Sequence, residues 1–245
     1  MKTVIMHFYN EEYMLPWWLM HHREVFDHGI LIDYDSTDRS LEIIKEYCPT
    51  WQVVKSRNRQ FGAVKCDEEI IYYESTIPGW KMCLNVTEYL VGDYSLLNGE
   101  PGQVLKVPCY IMVDTQKDAE ITHDKSLIKQ RPFGIPYDRA NPISIERAIS
   151  HERVCRAIHN TTSLSYSTGR HFVDSNCMQL QVLWYGYSPM NQKMLERKLQ
   201  IQHRIPDSDK AQRLGNEHIT DEQGLNKTYN RYLPFVTDLS VELKL

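Results

Sequence analysis

The sequence predicts an α/β fold on a doubly wound parallel sheet. Three observations point to it. Within the first ninety or so residues, four short apolar runs alternate with three helical apolar patterns, in the order β-α-β-α-β-α-β. The first two runs stop abruptly in small oxygen-bearing residues, as strands do where they face a ligand crevice. A chain of 245 residues, 42% apolar, has enough material for one sizeable core.

Residues 3–8, TVIMHF, form the first predicted strand, which ends in Tyr9-Asn10-Glu11-Glu12. A helix follows with Tyr13, Leu15, Trp17, Trp18, Met20, His21 and Val25 on its apolar face. Asn10 is its expected N-cap, and Glu11 and Glu12 suit the positive end of the helix dipole. Asp27-His28-Gly29 closes it. The next run, Ile30-Leu31-Ile32, reads as a buried parallel strand and stops in Asp33, Asp35, Ser36 and Asp38. Asp38 is the expected cap of a second helix bearing Leu41, Ile43, Ile44 and Tyr47.

Cys48-Pro49 breaks that pattern, and residues 51–54 supply a third strand ending in Ser56-Arg57-Asn58-Arg59. Residues 63–74 have helical spacing, with Cys66, Ile70 and Tyr73 on one side and Asp67 one turn inside. Gly79-Trp80 opens a fourth strand over 81–85. Beyond residue 90 the pattern loosens. An apolar strand spans 104–114, and a Pro-containing loop over 115–142 is a candidate cover for a site. Strand-like segments at 155–159 and 180–185 flank Gly169-Arg170-His171-Phe172. Ser188-Pro189 reads as a cap with Pro at the first helical position, before Met190, Met194, Leu195, Lys198 and Leu199. The tail from residue 212 is polar and Tyr-rich and receives no element.

Composition narrows the function classes. With 28 Lys and Arg against 32 Asp and Glu, the net charge is −4, which argues against a general nucleic-acid binder. The N-terminus reaches acidic residues after a short apolar run, unlike a signal peptide, and no window approaches the roughly 18 apolar residues of a membrane span. Six scattered cysteines without a CxxC pair then read as reduced core residues. A cytoplasmic protein is expected, with the sequons at Asn85, Asn160 and Asn226 as chance matches.

A parallel sheet would set the polar ends of the first two strands side by side. Acceptor oxygens alone do not hold phosphate, but they suit the N–H groups of a base or the hydroxyls of a ribose. Arg57 and Arg59, at the third strand end, are candidates for a pyrophosphate clamp because guanidinium matches phosphate oxygens bidentately. The plainer alternatives are a capped turn with solvated acids and a loop with surface cations.

Tyr9-Asn10-Glu11-Glu12 followed 23 residues later (33 − 10) by Asp33-Tyr34-Asp35-Ser36-Thr37-Asp38 resembles the opening of family 2-type glycosyltransferases of the GT-A fold. The whole is similar to a small group with F-D-H-G and D-Y-x-S-T-D turns, linked to bacterial or viral surface glycans. The resemblance covers about residues 1–95. It implies a GT-A type, Rossmann-like domain over 1–245, with 1–95 as the nucleotide-sugar half and 96–245 as the acceptor half. It also implies a nucleoside diphosphate sugar donor, with UDP-sugar favoured, and a glycan or lipid-linked acceptor. Tyr9, Asn10, Glu11, Asp33 and Asp35 would hold the donor, with Arg57 and Asp67 fixing base or phosphates.

One departure stands out. The D-x-D metal motif of such enzymes is replaced by Asn85-Val86-Thr87-Glu88, leaving Glu88 as its only carboxylate. Hard cations prefer carboxylates with phosphate oxygens. Glu88 with His171 would hold Mn²⁺ or Mg²⁺ if a metal is used; otherwise arginines would neutralise the leaving diphosphate. An inverting transferase also needs a carboxylate base, and Asp114 and Asp174 are the candidates by position. A retaining mechanism remains an alternative, as do a non-catalytic nucleotide-sugar or glycan-binding domain and a nucleotidyltransferase.

Overall fold

The computed structural model describes residues 1–136, 154–159, 175–215 and 218–244. The N-terminal part alternates as expected: β1 (Lys2–Phe8), α1 (Leu15–His22), β2 (His28–Asp33), α2 (Ser40–Tyr47), β3 (Gln52–Lys55), α3 (Ala63–Thr76) and β4 (Trp80–Cys83). These four strands form a parallel block in the order β4-β1-β2-β3, with Phe8 level with Asp33 and Asp33 level with Lys55. Side chains alternate across it. Val4, Met6, Phe8 and Leu31 join Trp17, Trp18, Ile43 and Ile44 on the face covered by α1 and α2. Ile5, Ile30 and Ile32 meet Cys66 and Ile70 of α3 on the other. Gly29 permits the approach of Trp51, since a Cβ there would lie 2.2 Å from the indole ring.

The second half is largely antiparallel. It comprises β5 (Glu88–Gly92), β6 (Val104–Val113), α4 (Leu127–Gln130), β7 (Phe133–Ile135), β8 (Val154–His159), β9 (Leu180–Tyr187), α5 (Gln192–Leu199), α6 (Asp207–Ala211), α7 (Glu222–Tyr232) and β10 (Thr237–Asp238). The sheet runs β10-β7-β6-β8-β4-β1-β2-β3, with β9 paired to β5 and β6. Because β8 is antiparallel to both β4 and β6, β6 points the same way as β1, and β9 is parallel to β6. The carboxyl ends of β1, β2, β3, β4, β6 and β9 therefore share one edge. The α/β class with a parallel sheet block flanked by helices is observed.

Several boundaries differ from the sequence expectation. The first helix starts at Leu15 with Pro16 in its first turn, where proline lacks no needed N–H, and its N-cap is Met14 rather than Asn10. The second is capped from Arg39, one residue past Asp38. Residues 188–189 precede α5, whose cap is Asn191 accepting from the Met194 N–H at 3.1 Å. β5 escaped the sequence reading, and the tail from residue 212 holds α7, with Leu225, Tyr229 and Tyr232 buried against Ile111, Val113 and Ile135. No helix among the described residues is long and apolar enough to cross a membrane.

Candidate functional site

Two turns interlock where β1 and β2 end. Asn10 has φ +51°, a left-handed conformation that Asn tolerates better than most residues. Its Oδ1 accepts from the Thr37 N–H at 2.7 Å and the Asp38 N–H at 3.3 Å. In return, the Asn10 N–H donates to Ser36 Oγ, the Glu11 N–H to Ser40 Oγ and the Glu12 N–H to Asp38 Oδ2. Asp33 Oδ1 accepts from the Ser36 N–H at 2.9 Å, so this carboxylate shapes its own turn. The two motifs singled out in the sequence thus form one structure, in which Asn10 spends its side chain on the second motif and is unavailable as a helix cap.

The β3 end adds cations. Lys55 Nζ lies 2.7 Å from Asp35 Oδ1, and this bonded ammonium, with Arg204 and Arg59 in its field, holds the exposed Asp35 carboxyl below its ordinary range. Asp35 has φ +61°, which turns it outward at the strand end. Arg57 is 55% exposed and lies 4.1 Å over the Tyr72 ring, with Nε 3.6 Å from Glu69. The loop after β3 is organised by Glu69, which accepts from Tyr34 Oη, Ser56 Oγ, the Arg57 N–H and Asn58 Nδ2. Asp67, two residues before it, is buried. Tyr9, Tyr34, Phe61 and His7 line this end, with Tyr34 and Phe61 stacked at 4.3 Å and 19°.

Residues distant in sequence complete the edge. Arg197 of α5 makes a bidentate pair with Glu11, with Nη2 to Oε1 at 2.7 Å. Burial pushes the Glu11 carboxyl up and the guanidinium pulls it back. Gln200 Nε2 donates to the Tyr9 and Asn10 carbonyls, and the Arg204 guanidinium lies 4.0 Å over the Tyr9 ring. None of Glu69, Arg197, Gln200 and Arg204 was found from sequence. For the last three the only sequence signal is a helix rich in cations, and its docking place is not encoded locally.

Glu88 and Asp114 sit further along the same edge and are both committed. Glu88 is 1% exposed, and its two oxygens accept from the Asn85 N–H (2.7 Å) and Asn85 Nδ2 (3.1 Å). Asp114, also 1% exposed, pairs with Arg131 at 3.2 Å and accepts from the Gln116 and Met190 N–H groups. Its carbonyl accepts from Tyr229 Oη. His171 and Asp174 lie outside the described residues. The oxygens of Glu88 close the 85–88 turn, each with one bond from Asn85, and no group of three or more His, Cys, Asp or Glu able to hold a metal occurs among the described residues.

No family model matches the chain, and no curated protein matches it. Similar solved structures include TarS of S. aureus (14% identity, TM-score 0.33, covering 50% of this chain and 23% of that one). Another is TarS 1-349 in complex with UDP-GlcNAc (16%, TM-score 0.32, 53% and 38%). A third is glucosyl-3-phosphoglycerate synthase from Mycobacterium tuberculosis, in complex with Mn²⁺, UDP and glucosyl-3-phosphoglycerate (15%, TM-score 0.39, 69% and 60%). The chain spans less than two thirds of each. Likeness of this size carries no argument about function, which therefore rests on the residues described above.

Proposed function

We propose that the edge formed by the ends of β1, β2 and β3 binds a nucleoside diphosphate sugar and that the protein is a glycosyltransferase of GT-A type. The interlock of the Tyr9–Glu12 and Asp33–Asp38 turns carries this reading: two motifs that resemble those of family 2-type enzymes meet at the carboxyl ends of neighbouring parallel strands, the usual ligand position in open α/β sheets. Asp33 and Asp35 then face base or ribose, with Tyr9 as an aromatic wall. Lys55, Arg57 and Arg59 supply positive charge for the diphosphate, while Glu11 and Asp67, both buried, act by holding the turn and α3 in place.

In the reaction an acceptor hydroxyl oxygen bonds to the anomeric carbon. The bond from that carbon to the diphosphate breaks, and the electron pair leaves with the diphosphate. The cations of the β3 end offset its charge, and the hydroxyl proton passes to a carboxylate. Asp114 enters as a positioning residue, because both its oxygens are bonded; Asp174 remains the candidate base. If a divalent ion is used, Glu88 with His171 would hold it beside the diphosphate and it would offset the charge of the leaving group. UDP-sugar is the favoured donor and a glycan or lipid-linked molecule the acceptor.

The commitment of both Glu88 and Asp114 to internal bonds favours a second reading, a non-catalytic nucleotide-sugar-binding domain. One experiment addresses both. Thermal stabilisation is measured with UDP-, GDP-, dTDP- and CMP-sugars, with and without Mn²⁺ and EDTA, followed by sugar release. A ligand specific to the folded state adds about 2.7 kcal/mol at a hundredfold excess over Kd. Stabilisation with release supports the transferase, and stabilisation without release the binding domain. No response to any donor refutes both. Asp35→Asn should weaken the response while changing the unliganded Tm little, because the pair with Lys55 is exposed and asparagine tolerates the left-handed φ of +61°.

A further inference from the structure

The carboxyl edge is crossed by the chain's own C-terminal part. After α5 the backbone makes a 3-10 turn at Gln202–Arg204 and a short helix at Asp207–Ala211. Gln200 holds the carbonyls of Tyr9 and Asn10, at 3.3 and 2.8 Å. Arg204 stacks on Tyr9 at 4.0 Å and lies 5.7 Å from the Phe61 ring. Its Nη2 donates to the Arg59 carbonyl at 2.8 Å, and its own carbonyl accepts from the Phe61 N–H at 3.0 Å. Asp209 Oδ2 accepts from the Ala63 N–H, the first residue of α3, at 2.7 Å.

Two features set this segment apart from a permanent wall. Among the described residues from 196 to 215, Ile205 alone is buried, so almost every attachment is polar and within reach of water. Few buried apolar contacts and solvent-reachable hydrogen bonds are the signature of a segment that opens without global unfolding. The second is the chemistry of what it inserts. A planar cation covers the Tyr9 face and a carboxylate caps the positive end of α3, where a nucleotide would present its base and its phosphates.

We propose that residues 200–214 form a displaceable strap that holds the crevice shut, and that a nucleoside diphosphate enters by displacing Arg204 from Tyr9 and Asp209 from α3. The trigger rests on the nucleotide reading of the crevice; the opening of the strap does not.

The test combines amide hydrogen exchange with calorimetric titration of UDP, GDP and dTDP, with CMP as a monophosphate control, into wild type, Arg204→Ala and Asp209→Ala. The Phe61 and Ala63 amides report the strap directly, and the β1 amides report global unfolding. Expected are faster exchange at Phe61 and Ala63 than in β1, further acceleration in both variants with β1 unchanged, and tighter nucleotide binding to Arg204→Ala by roughly two- to fivefold, the weight of one exposed cation–π contact. If Phe61 and Ala63 exchange only at the rate of β1 in all three proteins, the segment is a fixed wall and the proposal is overturned, whether or not a nucleotide binds. Weaker binding to Arg204→Ala would make Arg204 a ligand-holding group and equally overturn the plug. If no nucleotide binds any form, the reading of the crevice fails and takes the trigger with it, while the exchange data decide the opening by themselves.

Discussion

Replacing Asn10 tests whether the interlock of the two turns organises the site. Asn10→Ala removes the acceptor of the Thr37 and Asp38 N–H groups and the donor to Thr37 Oγ1. These bonds are largely exposed, so each is worth the low end of the usual range, about 0.5 kcal/mol. Alanine at φ +51° adds about 1–2 kcal/mol of left-handed strain that asparagine largely avoids. The expected loss is about 2.5–3.5 kcal/mol. Asn10→Gly keeps the backbone conformation but loses the bonds, for about 1–1.5 kcal/mol. Asn10→Asp keeps the acceptor and should cost about 0.5 kcal/mol. Urea unfolding at constant m-value resolves this order. An alanine variant within about 0.5 kcal/mol of wild type, or no less stable than the glycine variant, would refute the assignment of strain and bonds to this residue.

Other perturbations read the rest of the edge. Arg197→Ala strands the Glu11 carboxylate in a mostly buried place and should cost about 3 kcal/mol, with Arg197→Lys recovering part of it; equal stability of the alanine variant and wild type would count against the pair. Asp114→Asn leaves the Arg131 guanidinium, 3% exposed, without its counter-charge, so a loss of about 3 kcal/mol is expected by thermal unfolding. Loss of sugar transfer at unchanged stability would instead make Asp114 the base. Glu88→Gln should lower stability and abolish any response to Mn²⁺ or EDTA; an unaltered metal response would place the ion elsewhere. His22, buried with Nδ1 against the Trp18 carbonyl and Nε2 accepting from the Leu90 N–H, is held well below its ordinary pKa of 6.5 by burial, with His21 beside it adding to the shift. Its folded pKa is depressed, so the stability it contributes is complete above pH 6.5 and is lost as pH falls, by up to about 1.4 kcal/mol per pH unit. His22→Gln should remove that part of the slope, and an identical pH profile would show that the ring does not titrate on unfolding.

The first ninety residues were legible because their signals are local. Apolar runs of the right length, Pro49 as punctuation, and acids at strand ends report directly on the conformation of their own segment, and strand-helix alternation leaves few topologies open. Cap positions were less legible: Asn10 gives its side chain to the neighbouring turn, and Asp38 divides its carboxylate between the Glu12 N–H and the Ser40 N–H at the start of α2. β5 was hidden because Glu88-Tyr89-Leu90-Val91 lacks alternation, and its pairing with β9 is nearly a hundred residues away. The Tyr-rich tail read as polar because its apolar stripe is thin; Leu225, Tyr229 and Tyr232 become core only against β6 and β7.

By itself the sequence determined the parallel block, the polar strand ends and the candidate donor residues around them, since each depends on residues a few positions apart. Only the tertiary structure decided which of those residues are committed. Asp33 gives one oxygen to Ser36, Glu88 is bonded to Asn85 and Asp114 to Arg131, while Arg197, Gln200 and Arg204 arrive from almost two hundred residues downstream. The physical reason is that a carboxylate's type and spacing are local properties, whereas its burial and its hydrogen-bond partners are set by which distant segments the packed sheet brings over its edge.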